Sequence, residues 1–370
     1  MNSIAKNLLK SVKRGQAVWL RASSAQSGKQ HLRKLVLGIE TSCDDTGAAV
    51  VDDAGNVLGE ALHCQKEVHL QAGGIIPVVA QQLHRENIEQ VVKEALGVSG
   101  VSVRELAAIA TTVKPGLALS LEVGLQYSLT LVNKYQKPFI PVHHMEAHAL
   151  TIRLTHHLEF PFLVLLLSGG HCILAVAQGV SDFLLLGQSI DIAPGDMLDK
   201  NLVNNAIVQK EKEEGIQEGE ILSCVKDIAA AVQHAVAVHI IQRTYRAMLF
   251  CIKNSILSSR NATLVVSGGV ASNQYIRKGL QTLADANDFA FLCPPPRLCT
   301  DNGVMIAWNG IERLRAGLGV LHSTDGIRYE PKAPLGIDIS KRVEEDSIKV
   351  PKLRKKIQWF PQNHIGENTN

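Results

Sequence analysis

The sequence predicts an α/β protein built of two related lobes that face each other across a cleft. Three observations carry this prediction. The chain has 370 residues, more than one compact core usually holds. It is 46% apolar and 20% charged, which fits a globular protein and excludes a largely disordered one. Each half opens with β-rich sequence and continues into helices, the pattern of two α/β units rather than one long mixed domain.

The elements follow in order. Residues 34–40 alternate toward a strand. Residues 46–51 and 57–62 make two more, joined by the turn Asp53-Ala54-Gly55-Asn56, giving a three-stranded meander. A helix is expected around residues 79–96, with Ile88, Val91, Val92, Ala95 and Leu96 as its apolar stripe. Residues 106–113 read as a strand, and 119–134 as a helix entered through Pro115-Gly116. The second half repeats the opening: strands at 162–167 and 172–177 flank the turn Ser168-Gly169-Gly170. A later strand at 263–267 runs into Gly268-Gly269 and a helix through Leu280. The expected boundaries are 35–155 for the first lobe, 156–335 for the second and 336–370 for a tail. That tail carries Lys349, Lys352, Arg354, Lys355 and Lys356 beside Trp359 and Phe360. Basic and aromatic residues together can grip RNA, although an exposed tail is the simpler expectation.

Residues 1–34 read as a mitochondrial transit peptide. Eight Lys/Arg and no acid fall in residues 1–39, and Ile4, Leu8, Leu9 and Val12 share one helical face. A basic disordered tail or a nucleic-acid-binding arm is the alternative. Residues 40–370 carry a net charge of −5, so the basic pI is no nucleic-acid footprint. No membrane span is expected, because Ser168-Gly169-Gly170-His171 breaks the most apolar stretch, residues 162–177. The seven cysteines are scattered and form no CxxC pair, which argues against a zinc ribbon or a disulfide scaffold and for a reducing compartment.

Five segments could carry chemistry. In His143-His144-Met145-Glu146-Ala147-His148, His144 and His148 are spaced i, i+4 and project from one helical face, a spacing that suits two ligands of a divalent metal. Two structural histidines are the alternative. Glu146 would point away, unlike the glutamate of an HExxH metallopeptidase, which argues against peptidase chemistry. Ser168-Gly169-Gly170 and Ser267-Gly268-Gly269-Val270-Ala271-Ser272-Asn273 are glycine turns whose amides could approach a phosphate, although an empty hairpin is common. Residues 191–200 set three aspartates around a glycine, to bind ribose hydroxyls, hold a second metal or cap a helix. Asp301, in Cys299-Thr300-Asp301-Asn302-Gly303, could be an N-cap or a third metal ligand.

Taken together and in this order, Glu40-Thr41-Ser42-Cys43-Asp44-Asp45-Thr46, HHMEAH, SGGH, residues 191–200, SGGVASN and CTDNG closely resemble the TsaD-type tRNA threonylcarbamoyladenosine synthases, once labelled O-sialoglycoprotein endopeptidases. The resemblance covers about residues 35–335. With the transit peptide it indicates a mitochondrial member. Gly73-Gly74-Ile75-Ile76-Pro77 matches a further motif, but Val78 and Gln81-Gln82 stand where many bacterial members have Glu and Ser-Arg.

The resemblance implies the two-lobed actin/Hsp70/sugar-kinase-like fold. It also implies transfer of a threonylcarbamoyl group from threonylcarbamoyl-AMP, made by a separate synthase, to N6 of adenosine 37 in mitochondrial tRNAs reading ANN codons. His144, His148 and Asp301 would hold one divalent metal ion per subunit, zinc or iron. Leu166, Leu167, Ser168, Gly169 and Gly170 would cradle the adenylate, with Asp199, Ser272 and Asn273 on its nucleoside and Thr300 near the metal. Asp44 is the candidate catalytic residue, positioning the attacking amine or accepting its proton. A homodimer with no membrane partner is implied. One departure stands out: after Lys200 the chain lacks several dozen residues that family members usually carry, including a further Gly-Gly substrate turn. A shortened chain of this kind is expected to expose apolar surface that the segment would cover. A catalytically impaired isoform that binds adenylate or a partner without transfer is the alternative.

Overall fold

The computed structural model describes residues 33–199, 211–215 and 224–351. The expected transit peptide, apart from its last two residues, lies outside the described residues, as do most of the charge run after Lys200 and residues 352–370 of the basic tail.

Strand β1 (Leu35–Glu40) is LVLGIE, an almost continuous apolar run, and it is buried along its whole length because strands pair on both its sides. β2 (Asp45–Asp52) runs antiparallel to it, with Glu40 opposite Gly47, and β3 (Val57–Cys64) continues antiparallel at the edge. The turn between β2 and β3 is tied by the Asp52 carboxylate, which accepts from the Ala54 and Asn56 amides at 3.0 and 2.7 Å. Helices α1 (Lys66–Gln71) and α2 (Pro77–Ser99) lead to β4 (Ala108–Lys114), parallel to β1. Helix α3 (Ala118–Tyr135) then leads to β5 (Phe139–His143), parallel to β4. Helices α4 (His144–Leu150) and α5 (Ile152–Thr155) close the segment.

The second half repeats the plan. β6 (Phe162–Leu167) is a fully buried strand, antiparallel to β7 (Cys172–Gly179), which is antiparallel to β8 (Asp182–Gln188). After α6 (Pro194–Asp199) and α7 (Val225–Lys253) come β9 (Thr263–Ser267), parallel to β6, helix α8 (Gln274–Asp285) and β10 (Ala290–Leu292), parallel to β9. The sheet orders are β3-β2-β1-β4-β5 and β10-β9-β6-β7-β8-β11, where β11 (Ile337–Asp338) is an addition beside β8. Each sheet thus has a central strand with an antiparallel meander on one side and two parallel strands on the other. The duplication that is faint in the letters is plain in the topology, and this is the expected two-lobed α/β architecture.

Several elements go beyond the sequence expectation, among them β5, β8, α7 and β10, and so does the packing of the helix at Gly303–Ala316. β5 is short and contains Pro141, which blunts a strand pattern. Helix α9 (Gly303–Ala316) follows the second lobe in sequence but packs on the first sheet, its Val304, Ala307 and Ile311 against Val36, Ala49 and Ala110. Residues 156–335 therefore include a helix that serves the first lobe. The approach is close: a Cβ on Gly38 would collide with the Ala307 backbone, and one on Gly303 with that of Ala48. Helices α2 and α3 cover the opposite face of this sheet. The second sheet is covered on one face by α7 and α8, and on the other by Met145, Ala149 and Leu150 of α4. Ala147 of the same helix packs with α9, so α4 is buried between the two halves.

Ile190 is 95% exposed, and Ala229, Ala230, Ala231 and Ala235 in the first turns of α7 face solvent. No helix among the described residues is long and apolar enough to cross a membrane.

Candidate metal centre

β5 feeds directly into α4. His143 keeps extended backbone (φ −87°, ψ 120°) and the helix starts at His144. His144 and His148 meet edge to face one turn apart, ring centroids 4.7 Å apart and planes at 88°. On the far side, Asn302 caps α9: its Oδ1 accepts from the Met305 amide at 2.9 Å and its Nδ2 donates to the Thr300 carbonyl at 2.7 Å. The alternative of Asp301 as the cap is thereby removed, and its carboxylate turns to the histidines. Asp301 Oδ1 lies 3.0 Å from His148 Nε2 and 3.4 Å from His144 Nε2. Ligand atoms of the three residues lie within 4.8 Å of one another.

Glu40, which the sequence reading left without a role, completes the arrangement. It ends β1 fully buried, and its Oε2 meets His144 Nδ1 at 3.1 Å while accepting from the Thr112 hydroxyl. Its Oε1 accepts from the Ser42 amide. A carboxylate on Nδ1 fixes the imidazole so that Nε2 presents its lone pair, the usual support of a metal-bound histidine. The available signal was a lone acid closing an otherwise apolar buried strand. Electrostatics follow the geometry. Burial opposes charge on His144, but Asp301 and Glu40 together outweigh it and push its pKa up to about 10. Burial likewise opposes ionisation of Asp301, yet the two imidazoles hold it well below the ordinary carboxylate range. Two imidazoles and one carboxylate fit a divalent ion, and three protein ligands leave positions open for substrate.

Glu146 points away from the metal face, as expected, and is anchored there. Arg313 on α9 donates to both its oxygens, Nε to Oε1 at 2.8 Å and Nη2 to Oε2 at 3.0 Å, and Asn309 donates at 3.1 Å. Arg153 pairs with Glu312 beside it. The helix bearing both histidines is thus clamped to the helix that starts immediately after Asp301.

The glycine turns gather next to this centre. Gly268 (φ +96°) presses against the Leu167 carbonyl, where any Cβ would clash. A Cβ on Gly195 would come within 2.5 Å of Gly169 Cα, so the start of α6 rests on the Ser168-Gly169 turn. Gly169 and Gly170 are exposed with open space before them. Leu166 and Leu167 are buried in β6. Across Gly268, the 3-10 turn Gly269–Ser272 comes within van der Waals range of Thr300, whose neighbour is Asp301. Asn273 spends its Oδ1 capping α8, accepting from the Tyr275 and Ile276 amides, and Ser272 beside it is half-buried. Asp199 ends α6, but its side chain lies outside the described residues.

Asp44 sits half-buried in the loop between β1 and β2, outside the three-residue donor set. Its neighbour Asp45 is pushed up to about 6, by burial first, against a hydrogen bond from Cys64, with the Asp44 charge adding to the rise. His171, which closes the glycine hairpin, is lowered by burial and then by the charge of His144, which puts it within electrostatic reach of the metal centre.

Comparison with known proteins follows the same lines. The family model described as "TsaD: tRNA N6-adenosine threonylcarbamoyltransferase" matches residues 56–308. The human protein named "tRNA N6-adenosine threonylcarbamoyltransferase, mitochondrial" is 58% identical over 393 aligned positions, covering 92% of this chain and 95% of its own. The rat protein of the same name is 59% identical over 390, covering 91% and 94%. A Rhodospirillum rubrum tRNA N6-adenosine threonylcarbamoyltransferase is 35% identical, covering 85% and 98%. In the human alignment, 92% of this 370-residue chain is about 340 residues against 393 positions, so about fifty positions have no counterpart here. That shortfall is of the size expected from the gap after Lys200.

Proposed function

Because the chain belongs to the TsaD family of tRNA N6-adenosine threonylcarbamoyltransferases, we propose that it moves the threonylcarbamoyl group of threonylcarbamoyl-AMP onto N6 of adenosine 37 in mitochondrial tRNAs reading ANN codons, releasing AMP. The observation that carries this reading is the two-imidazole, one-carboxylate set formed beside the glycine turns.

His144, His148 and Asp301 would hold one zinc or iron ion. When bound, such an ion supplies Lewis-acid polarisation of the mixed anhydride and neutralises charge developing on the phosphate. The chain's own residues do the rest. Glu40 keeps the His144 ring turned so that Nε2 faces the centre. The Ser168 amide closes the turn on the His171 carbonyl at 2.8 Å, and the backbone N–H groups of Gly169 and Gly170, at the end of Leu166-Leu167, receive the phosphate, which dipoles fixed before the reaction stabilise without reorganising. Ser272, Asn273 and Asp199 hold the nucleoside, and Thr300 stands near the metal next to Asp301. Asp44 accepts the proton that the adenosine amine loses as its nitrogen attacks the carbamoyl carbon, and the C–O bond to AMP breaks. The adenylate comes from a separate synthase, the protein works in the mitochondrion as its named relatives do, and it forms a homodimer without a membrane partner.

A second reading rests on the fifty or so missing positions: a form that binds adenylate or a partner without transfer. One experiment separates the two. The purified chain is given threonylcarbamoyl-AMP and unmodified mitochondrial tRNA, and the modified nucleoside is quantified by mass spectrometry with His144→Ala alongside. Product that vanishes in the variant supports the transferase. A folded, metal-loaded chain that binds adenylate without forming product supports the second reading.

A further inference from the structure

Residues 40–370 are net acidic, so a chain that handles a polyanion needs a local surface of opposite sign. One lies at the metal end of the first sheet. Lys114 closes β4, and its register partner in β5 is His143, the residue before His144. Residues 327–332 are fastened across this end of the sheet by their backbone. The Glu330 amide donates to the Val113 carbonyl at 2.8 Å, and the Gly116 amide donates to the Pro331 carbonyl at 3.2 Å. The next amide, that of Leu117, donates at 2.8 Å to the Ser42 carbonyl, in the loop that carries Asp44.

Side chains alternate along the fastened segment. Ile327 and Tyr329 pack on the core of the first lobe, while Arg328, Glu330 and Lys332 face solvent. Lys114 Nζ donates to Glu330 Oε2 at 3.3 Å, which sets the lysine into the same ridge. Neither the Arg328 guanidinium nor the Lys332 ammonium has a hydrogen bond or an ion pair among the described residues. Lys114 and Arg328 both line a cavity of about 300 Å³, and Arg313, which also lines it, is spent on Glu146. The other acid of that cavity, Asp325, accepts from the Ser323 hydroxyl at 2.9 Å. Lys114, Arg328 and Lys332 thus stand against two carboxylates, and the ridge is net positive.

We infer that Lys114, Arg328 and Lys332 form a phosphate-binding rim that receives the tRNA backbone beside adenosine 37, an inference that rests on the tRNA reading given above. For N6 of that adenosine to reach the metal centre, the strand on either side of it has to run along the residues that border Asp44 and His144. Residues 327–332 are among them. Every nucleotide of the strand presents a phosphate whatever its base, so exposed cations there give affinity and register without reading sequence. The Arg328 fork suits two phosphate oxygens at once, and Lys332 offers a point charge on a long stem. Neither is held by a carboxylate, so binding breaks no ion pair of theirs, and the counterions released add to affinity.

The test is tRNA binding by the full chain, measured without adenylate by fluorescence anisotropy across a salt series. Arg328→Ala with Lys332→Ala is expected to weaken binding about tenfold or more at about 0.1 M salt. The slope of log K against log salt should fall by about one per cation removed. The same fold loss is expected for a tRNA with guanosine in place of adenosine 37, because phosphates and not the base are read. Arg328→Lys, which keeps the charge, should bind nearly as the wild type does. Lys93→Ala, which removes a cation paired with Glu89 on α2, should change neither affinity nor slope. A double variant with wild-type affinity and slope overturns the inference and leaves the transferase reading intact, and so does a loss that Lys93→Ala equals. A wild-type chain that binds no tRNA overturns both. Binding that falls as expected, with no modified nucleoside formed even by the wild type, removes the transfer and leaves the rim standing. Lys332→Glu, a single change at an exposed position, decides the question should the double variant fail to fold.

Discussion

Arg313 holds Glu146 with two parallel hydrogen bonds of 2.8 and 3.0 Å, and through that grip two distant segments of the chain are assembled into one centre. Glu146 sits between His144 and His148 in sequence, and Arg313 lies three turns into the helix that follows Asp301. The bond joins what carries the imidazoles to what carries the carboxylate, although neither residue touches the donor atoms. Arg313→Ala leaves the Glu146 carboxylate buried without its partner, which costs about 3–5 kcal/mol in comparable pairs. Chemical denaturation is expected to show that loss. Metal affinity should fall with it, and Glu146→Gln, which keeps the shape and removes the charge, should weaken the metal less than Glu146→Ala does.

Glu40 is predicted to tune the metal through His144. Substitutions at such supporting carboxylates typically lower metal affinity about 10–100-fold. Glu40→Gln should do so in competition with a chelating dye, while His148→Ala, which removes a donor outright, should lose stoichiometric metal by elemental analysis.

Asp45 gives the chain a pH dependence of known sign. Its folded pKa of about 6 stands above the ordinary 3.8 because burial disfavours the carboxylate, and Oδ1 has no partner. The folded state therefore holds this proton more tightly than the unfolded one. Stability drops as pH rises from about 4 to about 6 and the penalty persists above that. Asp45→Asn should raise the thermal midpoint at pH 8 and change it little at pH 3.

Close packing of α9 on the first sheet is a joint sensitive to added volume. Gly303→Ala places a methyl group against the Ala48 backbone, which cannot move aside as a flexible side chain would. Overpacking of this kind typically costs about 1–3 kcal/mol. Since Gly303 is two residues from Asp301, a lowered midpoint accompanied by weaker metal binding is expected, whereas Gly187→Ala, with open space at its Cβ, should leave both near wild type.

Much of this molecule was determined by the sequence alone. The apolar runs of β1, β6 and β9, the amphipathic stripe of α2 and the glycine turns each follow from local periodicity and turn chemistry, which residues a few positions apart decide. The i, i+4 spacing of His144 and His148 put both rings on one face, and helical geometry also sent Glu146 to the other. The ordered motifs carried the family. Tertiary structure decided what local pattern cannot encode. Asn302 rather than Asp301 became the cap, which freed Asp301 as a donor. Helix α9 crossed back to the first sheet because Gly38 and Gly303 let backbones touch, and no periodicity reports a contact between residues more than 250 positions apart. Glu40 gained its role only when β1 ended beside α4, since burial of a carboxylate creates a demand for a partner but does not say which imidazole will answer it.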